Sequence, residues 1–61
     1  RGLGHGRALT QASLELARHE GCTTVLLRVD QKNTRAYELY VSVGFVVTNV
    51  RIEDYDMEYQ L

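Results

Sequence analysis

The chain lacks several features that commonly stabilise a small fold. It has 61 residues and a single cysteine, Cys22, so no disulfide can form within it. No cluster of histidine and cysteine has the spacing of zinc ligands, and no other metal site is predicted. A chain of this length buries only about 60% of the surface that its unfolded form exposes. We therefore expect a partner to complete the fold, either a second copy of the chain or a complementing N-terminal half.

Strong charge and long apolar runs are also missing. The formal net charge is -1, which argues against binding of nucleic acid through bulk electrostatics. No apolar run approaches the roughly 20 residues that a membrane-spanning helix needs. No signal-peptide pattern opens the sequence. The expected setting is therefore the reducing cytoplasm, with neither nucleic acid nor membrane as a partner.

The N-terminal third of the sequence predicts a loop followed by a helix. Three glycines at alternate positions predict a loop over residues 1–6. Residues 7–20 have the 3.6-residue apolar spacing of a helix, and Gly21 is suited to a left-handed cap at its end. The apolar residues expected to face the core of the protein are Ala8, Leu9, Ala12, Leu16 and Ala17.

The remaining residues predict a strand, a second helix and a hairpin. Residues 23–29 are β-branched and apolar, which predicts a largely buried strand that opens on a buried Cys22. A helix follows from Asn33 or Thr34 to Gly44, and strands over 45–52 and 55–61 flank a turn at residues 53–54. One apolar stripe marks the helix, consisting of Ala36, Leu39, Tyr40 and Val43. The predicted fold class is α/β, in the order loop-α-β-α-β-β, with an antiparallel terminal hairpin.

The glycine segment before the first helix is suited to binding an anion. Glycine lets a ligand approach the backbone closely, and the first turn of a helix carries free N–H groups and about half a positive charge. A phosphate or pyrophosphate fits such a site. Two better-known phosphate loops are excluded. A Walker A loop needs Lys and then Ser or Thr after its last glycine, whereas Gly6 is followed by Arg7 and Ala8. A dinucleotide fingerprint needs its last glycine three residues after the second one, and Arg7 or Leu9 occupies that position here. A flexible loop without a ligand is the alternative.

This segment is similar to the pyrophosphate loop of the GNAT superfamily of N-acetyltransferases. That family has R/Q-x-x-G-x-G/A ahead of a long helix, and this chain has Arg1-x-x-Gly4-x-Gly6. The resemblance implies that coenzyme A (CoA) is bound here. The residues it implicates, by side chain or by backbone N–H, are Arg1, Leu3, Gly4, His5, Gly6 and Arg7.

A second motif lies one helix and one strand further on. The residues Asn33-x-x-Ala36-x-x-Leu39-Tyr40-x-x-x-Gly44-Phe45 resemble the N-x-x-A-x-x-L-Y-x-x-x-G-F pattern of many GNAT enzymes. Two motifs at the family's spacing are far more specific than either alone. The resemblance spans the whole chain, and residues 1–61 are identified as the C-terminal, acetyl-CoA-binding half of a GNAT domain.

The resemblance also implies a reaction. The family transfers an acetyl group from acetyl-CoA, its cosubstrate, to an amine. Tyr40 matches the general acid that protonates the departing thiolate, and Asn33 matches a pantetheine ligand. The base, the oxyanion donor and the pocket for a small-molecule or peptide amine belong to the half that has no counterpart here. Alternatives stay open: Tyr40 as a core residue, Asn33 as a helix cap only, and the chain as a CoA-binding module or inactive fragment.

Overall fold

The computed structural model describes residues 2–61, with side chains from residue 4 onward. Arg1 therefore lies outside the described residues. The elements are α1 (Gly2–His19), β1 (Thr24–Asp30), α2 (Thr34–Val43), β2 (Val46–Val50) and β3 (Asp54–Gln60). The predicted α/β class is confirmed. Each predicted strand is present, with its bounds moved by one or two residues.

The start of α1 corrects the sequence prediction. The helix already begins at Gly2, so the loop predicted over residues 1–6 is wrong for residues 2–6. A glycine inside a helix costs about 1 kcal/mol relative to alanine, and this cost motivated the loop. Packing offsets the cost here, because Gly6 lies against Leu39 of α2 and a Cβ atom at Gly6 would be 3.3 Å from Leu39 Cδ2. The Thr10 hydroxyl also donates to the Gly6 carbonyl, at 2.9 Å.

The face that α1 turns toward the core also differs from the prediction. Leu14 is buried and Ala17 is half-buried, whereas Leu9 and Leu16 are 59% and 60% exposed. The helix has two apolar stripes, and periodicity alone does not choose between them. The stripe through Gly6 is the one that packs, because the small residue allows α1 to approach α2. The helix ends as predicted, with Gly21 at φ 90°.

The three strands form one antiparallel sheet in the order β1-β3-β2. The central strand β3 places Met57 opposite Leu27 on one side and Val47 on the other. This arrangement confirms the predicted terminal hairpin, which is formed by β2 and β3.

Only one face of the sheet is covered by the helices within the described residues. Along β1 the burial alternates: Val29 is buried, whereas Leu26 is 73% exposed. The prediction of a largely buried strand is therefore wrong for the outward-facing residues, since an antiparallel sheet can leave one face in water. Cys22, predicted to be buried, is exposed in the connection before β1.

The core lies between the covered face of the sheet and the two helices. It consists of Leu14, Val29, Phe45 and Met57, and Met57 is fully buried. The Phe45 ring lies 5.4 Å from the Tyr59 ring, measured between centroids. Phe45, which follows the glycine at the end of α2, is thus confirmed as a core residue.

The outer face of the sheet carries an ion-pair network around Asp56. One carboxylate oxygen accepts from Arg28 Nε at 2.9 Å, and the other accepts from Arg51 Nη1 at 3.0 Å and Asn49 Nδ2 at 3.3 Å. A β-bulge between Val47 and Asn49 brings the amide into this position. The hydrogen bond from Arg28 lowers the pKa of the Asp56 carboxyl below its usual value, more than partial desolvation raises it.

No helix formed by residues 2–61 is long and apolar enough to cross a membrane.

Candidate functional site

Asn33 caps the N-terminus of α2. Its side-chain oxygen accepts a hydrogen bond from the backbone N–H of Ala36 at 3.2 Å. This hydrogen bond confirms the predicted helix start. The cap uses only the oxygen of the Asn33 side-chain amide. Within residues 4–61 the amide nitrogen of Asn33 makes no hydrogen bond, and the side chain is exposed. The cap therefore leaves the NH₂ group free to donate to a ligand.

Tyr40 is held by packing of its ring and not by its hydroxyl. The ring is half-buried and meets Phe45 edge to face, with centroids 5.5 Å apart. Among the described side chains the hydroxyl has no hydrogen-bond partner, and it is not a buried unsatisfied group. The predicted apolar stripe is confirmed, because Ala36, Leu39, Tyr40 and Val43 are all half-buried. The fixed ring and the accessible O–H suit both readings of Tyr40, as a core residue and as an acid.

Gly44 ends α2 and aligns Phe45 with the core. It has φ 124°, which L side chains rarely adopt, and a Cβ atom there would be 2.9 Å from Tyr59 Cε2. The Tyr40 carbonyl accepts from the N–H groups of both Gly44 and Phe45, at 3.1 and 2.9 Å. The glycine of the motif therefore has a structural role, in holding the Tyr40 and Phe45 rings together.

The two helices run side by side in the same direction. Gly6, in the second turn of α1, contacts Leu39, in the second turn of α2. Further along, Leu14 of α1 and Val43 of α2 line one cleft of about 400 Å³. Contacts that advance together along both helices define a parallel pair. The first turns of α1 and α2 therefore lie at the same end of the molecule.

From Gly4 onward the start of α1 is largely open to solvent. Gly4, His5 and Arg7 are exposed, and a Cβ atom at Gly4 would meet nothing within 4 Å. In a helix that begins at Gly2, the N–H groups of Leu3 and Gly4 have no acceptor within the helix. From Gly6 onward each N–H group faces a carbonyl four residues earlier. The open space at Gly4 and the free backbone N–H groups of Leu3 and Gly4 suit the binding of an anion.

The structure thus places most of the residues that the sequence singled out on two helices that pack against each other. The glycine segment forms the start of α1, Asn33 caps α2, and Tyr40 directly follows Leu39, the residue that Gly6 contacts. Arg35, in the first turn of α2, was not singled out by the motifs. The signal that finds it is its spacing, since it precedes Leu39 by one helical turn on the same face.

Comparison with models of known protein families shows to which family the chain is related. The model of the acetyltransferase (GNAT) family matches residues 1–45, which include both motifs. The chain belongs to the GNAT family. This confirms the relationship inferred from the motifs, and the two helices with an antiparallel sheet are a partial GNAT fold.

Individual relatives support the same family and share one name. The chain is 53% identical over 45 residues to a mycothiol acetyltransferase of Thermobispora bispora, a match that covers 74% of the chain and 15% of the relative. It is 46% identical over 57 residues to the mycothiol acetyltransferase of Frankia casuarinae, which covers 93% of the chain and 16% of the relative. The chain thus spans about a sixth of these GNAT proteins. No solved structure matches it.

Proposed function

We propose that this GNAT chain is the CoA-binding part of an acetyl-CoA-dependent N-acetyltransferase that acetylates a primary amine. The observation that carries the proposal is the placement of both family motifs on two packed helices whose first turns lie at the same end of the molecule. A pyrophosphate beside α1 and a pantetheine beside Asn33 would then lie on one continuous surface. The family match over residues 1–45 supports this assignment.

The first turn of α1 would hold the pyrophosphate. The free N–H groups of Leu3 and Gly4 are the backbone donors, and the Arg7 guanidinium adds a charged donor from the same segment. Arg1 and the backbone of His5 complete the set that the resemblance implies. Use of the Gly6 and Arg7 N–H groups would require the first turn of α1 to open, because the helix occupies them. Gly6 then contributes mainly through its close contact with α2.

Tyr40 would serve as the general acid. Acetyl-CoA supplies a thioester whose carbonyl carbon is attacked by the amine, and the C–S bond breaks as the amide forms. The Tyr40 hydroxyl then gives its proton to the sulfur that leaves, and the proton lost by the amine restores the tyrosine through solvent or a base. A phenol suits this step, because it carries an O–H group that can donate its proton to the developing thiolate.

The acceptor is inferred from the relatives. Those in Thermobispora bispora and Frankia casuarinae are named mycothiol acetyltransferases. We propose that the acceptor is the small-molecule amine that such enzymes acetylate. The pocket for it, the base and the oxyanion donor would come from other parts of a longer protein or from a second chain. That partner would also pair with the outer edge of β1, which within residues 2–61 is bonded to β3 alone.

Calorimetric titration with CoA tests the proposal, using Gly4→Glu as the disruptive variant. A Cβ atom at this exposed position would meet nothing within 4 Å, and Glu favours the N-terminus of a helix, so the fold should survive. Its carboxylate would repel the pyrophosphate. Ala12→Glu is the matched control, because it adds the same charge two turns later on α1. The proposal predicts binding by the wild type and by Ala12→Glu, and none by Gly4→Glu. Absence of binding by the folded wild-type chain would overturn it.

The second candidate is a CoA-binding module without turnover. It is favoured by the small share of the relatives that the chain spans, 15% and 16%. Acetylation of an amine by the chain, alone or with a complementing half, separates the two candidates. A chain that binds CoA but acetylates nothing in either form would be the module.

A further inference from the structure

Arg35 is an exposed cation in the first turn of α2. It lies one helical turn before Leu39 on the same face of α2, and Leu39 is the residue that contacts Gly6. Because side chains on a helix lean toward its N-terminus, Arg35 extends from that contact toward the start of α1. The parallel direction of the helices makes this the end at which the glycine segment lies.

The arginines of the described residues fall into two groups. Arg18, Arg28 and Arg51 each bind a carboxylate within 3.0 Å. Among residues 4–61, Arg7 and Arg35 make no ion pair, although Glu38 lies three residues after Arg35 on the same helix. The guanidinium of Arg35 is therefore available to an anion from outside the chain.

We propose that Arg35 is a phosphate ligand of CoA, which makes the anion site a joint structure of α1 and α2. This inference rests on the proposed function, since it adds a residue to the same CoA site. A planar guanidinium offers parallel N–H donors that match two phosphate oxygens. CoA presents two such groups, the pyrophosphate and the 3′-phosphate of its ribose, and either one would be a partner of suitable charge for Arg35.

The test is calorimetry of CoA and of dephospho-CoA, which lacks only the 3′-phosphate. Arg35→Gln should weaken the affinity for CoA about tenfold or more, the usual effect of losing a charge-assisted hydrogen bond. Arg35→Lys should restore part of the loss. Arg18→Gln is the matched control, since it removes the same charge at the opposite end of the helix pair, and it should leave CoA affinity unchanged.

A comparison of the affinities for CoA and dephospho-CoA shows which phosphate group Arg35 binds. An equal loss of affinity for both ligands in Arg35→Gln assigns the guanidinium to the pyrophosphate. A loss confined to CoA assigns it to the 3′-phosphate. Wild-type affinity for CoA in Arg35→Gln, within twofold, would overturn the role of Arg35 while leaving the proposed function intact. A wild-type chain that binds neither ligand would overturn both.

Discussion

At the scale of single residues, Tyr40 has a structural role and a proposed chemical role that can be separated. Its ring packs on Phe45, whereas its hydroxyl makes no hydrogen bond with the described side chains. Removal of the hydroxyl should therefore leave the packing in place. An effect on the reaction could then be assigned to the missing proton donor.

The variant Tyr40→Phe should keep the stability of the wild type and lose most of its turnover. Positioned acids contribute about 100- to 10,000-fold to a rate, so for the chain combined with its complementing half we expect kcat for acetyl transfer to fall about 100-fold or more with CoA affinity unchanged. Steady-state kinetics and thermal unfolding measure the two quantities. Tyr59→Phe is the control, because the Tyr59 ring also packs on Phe45. Equal kcat in Tyr40→Phe and in the wild type would assign Tyr40 to the core alone.

The residue types of the motif could be predicted from the sequence better than their surroundings. Asn33 was recognised both as a helix cap and as a ligand candidate, and its cap is confirmed. That the cap leaves the NH₂ group free depends on the orientation of the amide, which only the structure shows. The relation of Arg35 to the glycine segment could not be predicted either, because it requires the relative direction of two helices separated by a strand.

At the scale of elements, the glycines of α1 differ in what surrounds them. A Cβ atom at Gly4 would be in open space, and one at Gly6 would be 3.3 Å from the tip of Leu39. Both positions are helical, so alanine removes the same propensity cost at each. The two substitutions therefore differ only in packing.

Gly4→Ala should stabilise the chain more than Gly6→Ala does. Replacement of a helical glycine by alanine gains about 0.5–1 kcal/mol, and we expect Gly4→Ala to raise the free energy of unfolding by about that amount. At Gly6 the added methyl group must displace Leu39 by a few tenths of an ångström, which reduces or cancels the gain. Urea unfolding followed by circular dichroism measures both variants. Destabilisation by Gly4→Ala would indicate that Gly4 is not helical in solution and would restore the predicted loop.

The elements with strong local signals are the ones that the sequence predicted well. The helix α2 has a cap at Asn33, one apolar stripe and a glycine stop, and all three are confirmed. The helix α1 has two apolar stripes, and its glycines fit a loop or a tightly packed helix equally well. The burial of β1 depends on which face the helices cover. Such choices are made by tertiary packing, which periodicity does not encode.

At the scale of the whole molecule, the sheet has one face in the core and one face that carries charge. The outer face is held together by Asp56, which joins β1 through Arg28 to the hairpin through Arg51. Arg28 lies in β1, Asp56 lies in β3, and Arg51 lies in the turn that follows β2. The network therefore links parts of the sheet that are distant in sequence. The contribution of this network to the stability of the fold depends on the charge of the Asp56 carboxylate, so it can be followed by measuring stability against pH.

The stability of the chain should fall in acid as Asp56 takes up a proton. The hydrogen bond from Arg28 lowers the pKa of Asp56 in the folded chain, so the folded state binds fewer protons than the unfolded state. The stabilisation is fully present above the unfolded value of about 3.9 and is lost as the pH falls through the lower folded value. Thermal unfolding between pH 2 and about 5 measures the slope. Asp56→Asn should flatten this slope, and Arg28→Gln should flatten it in part by removing the main hydrogen bond. A slope in Asp56→Asn equal to that of the wild type would show that other carboxylates cause the acid sensitivity.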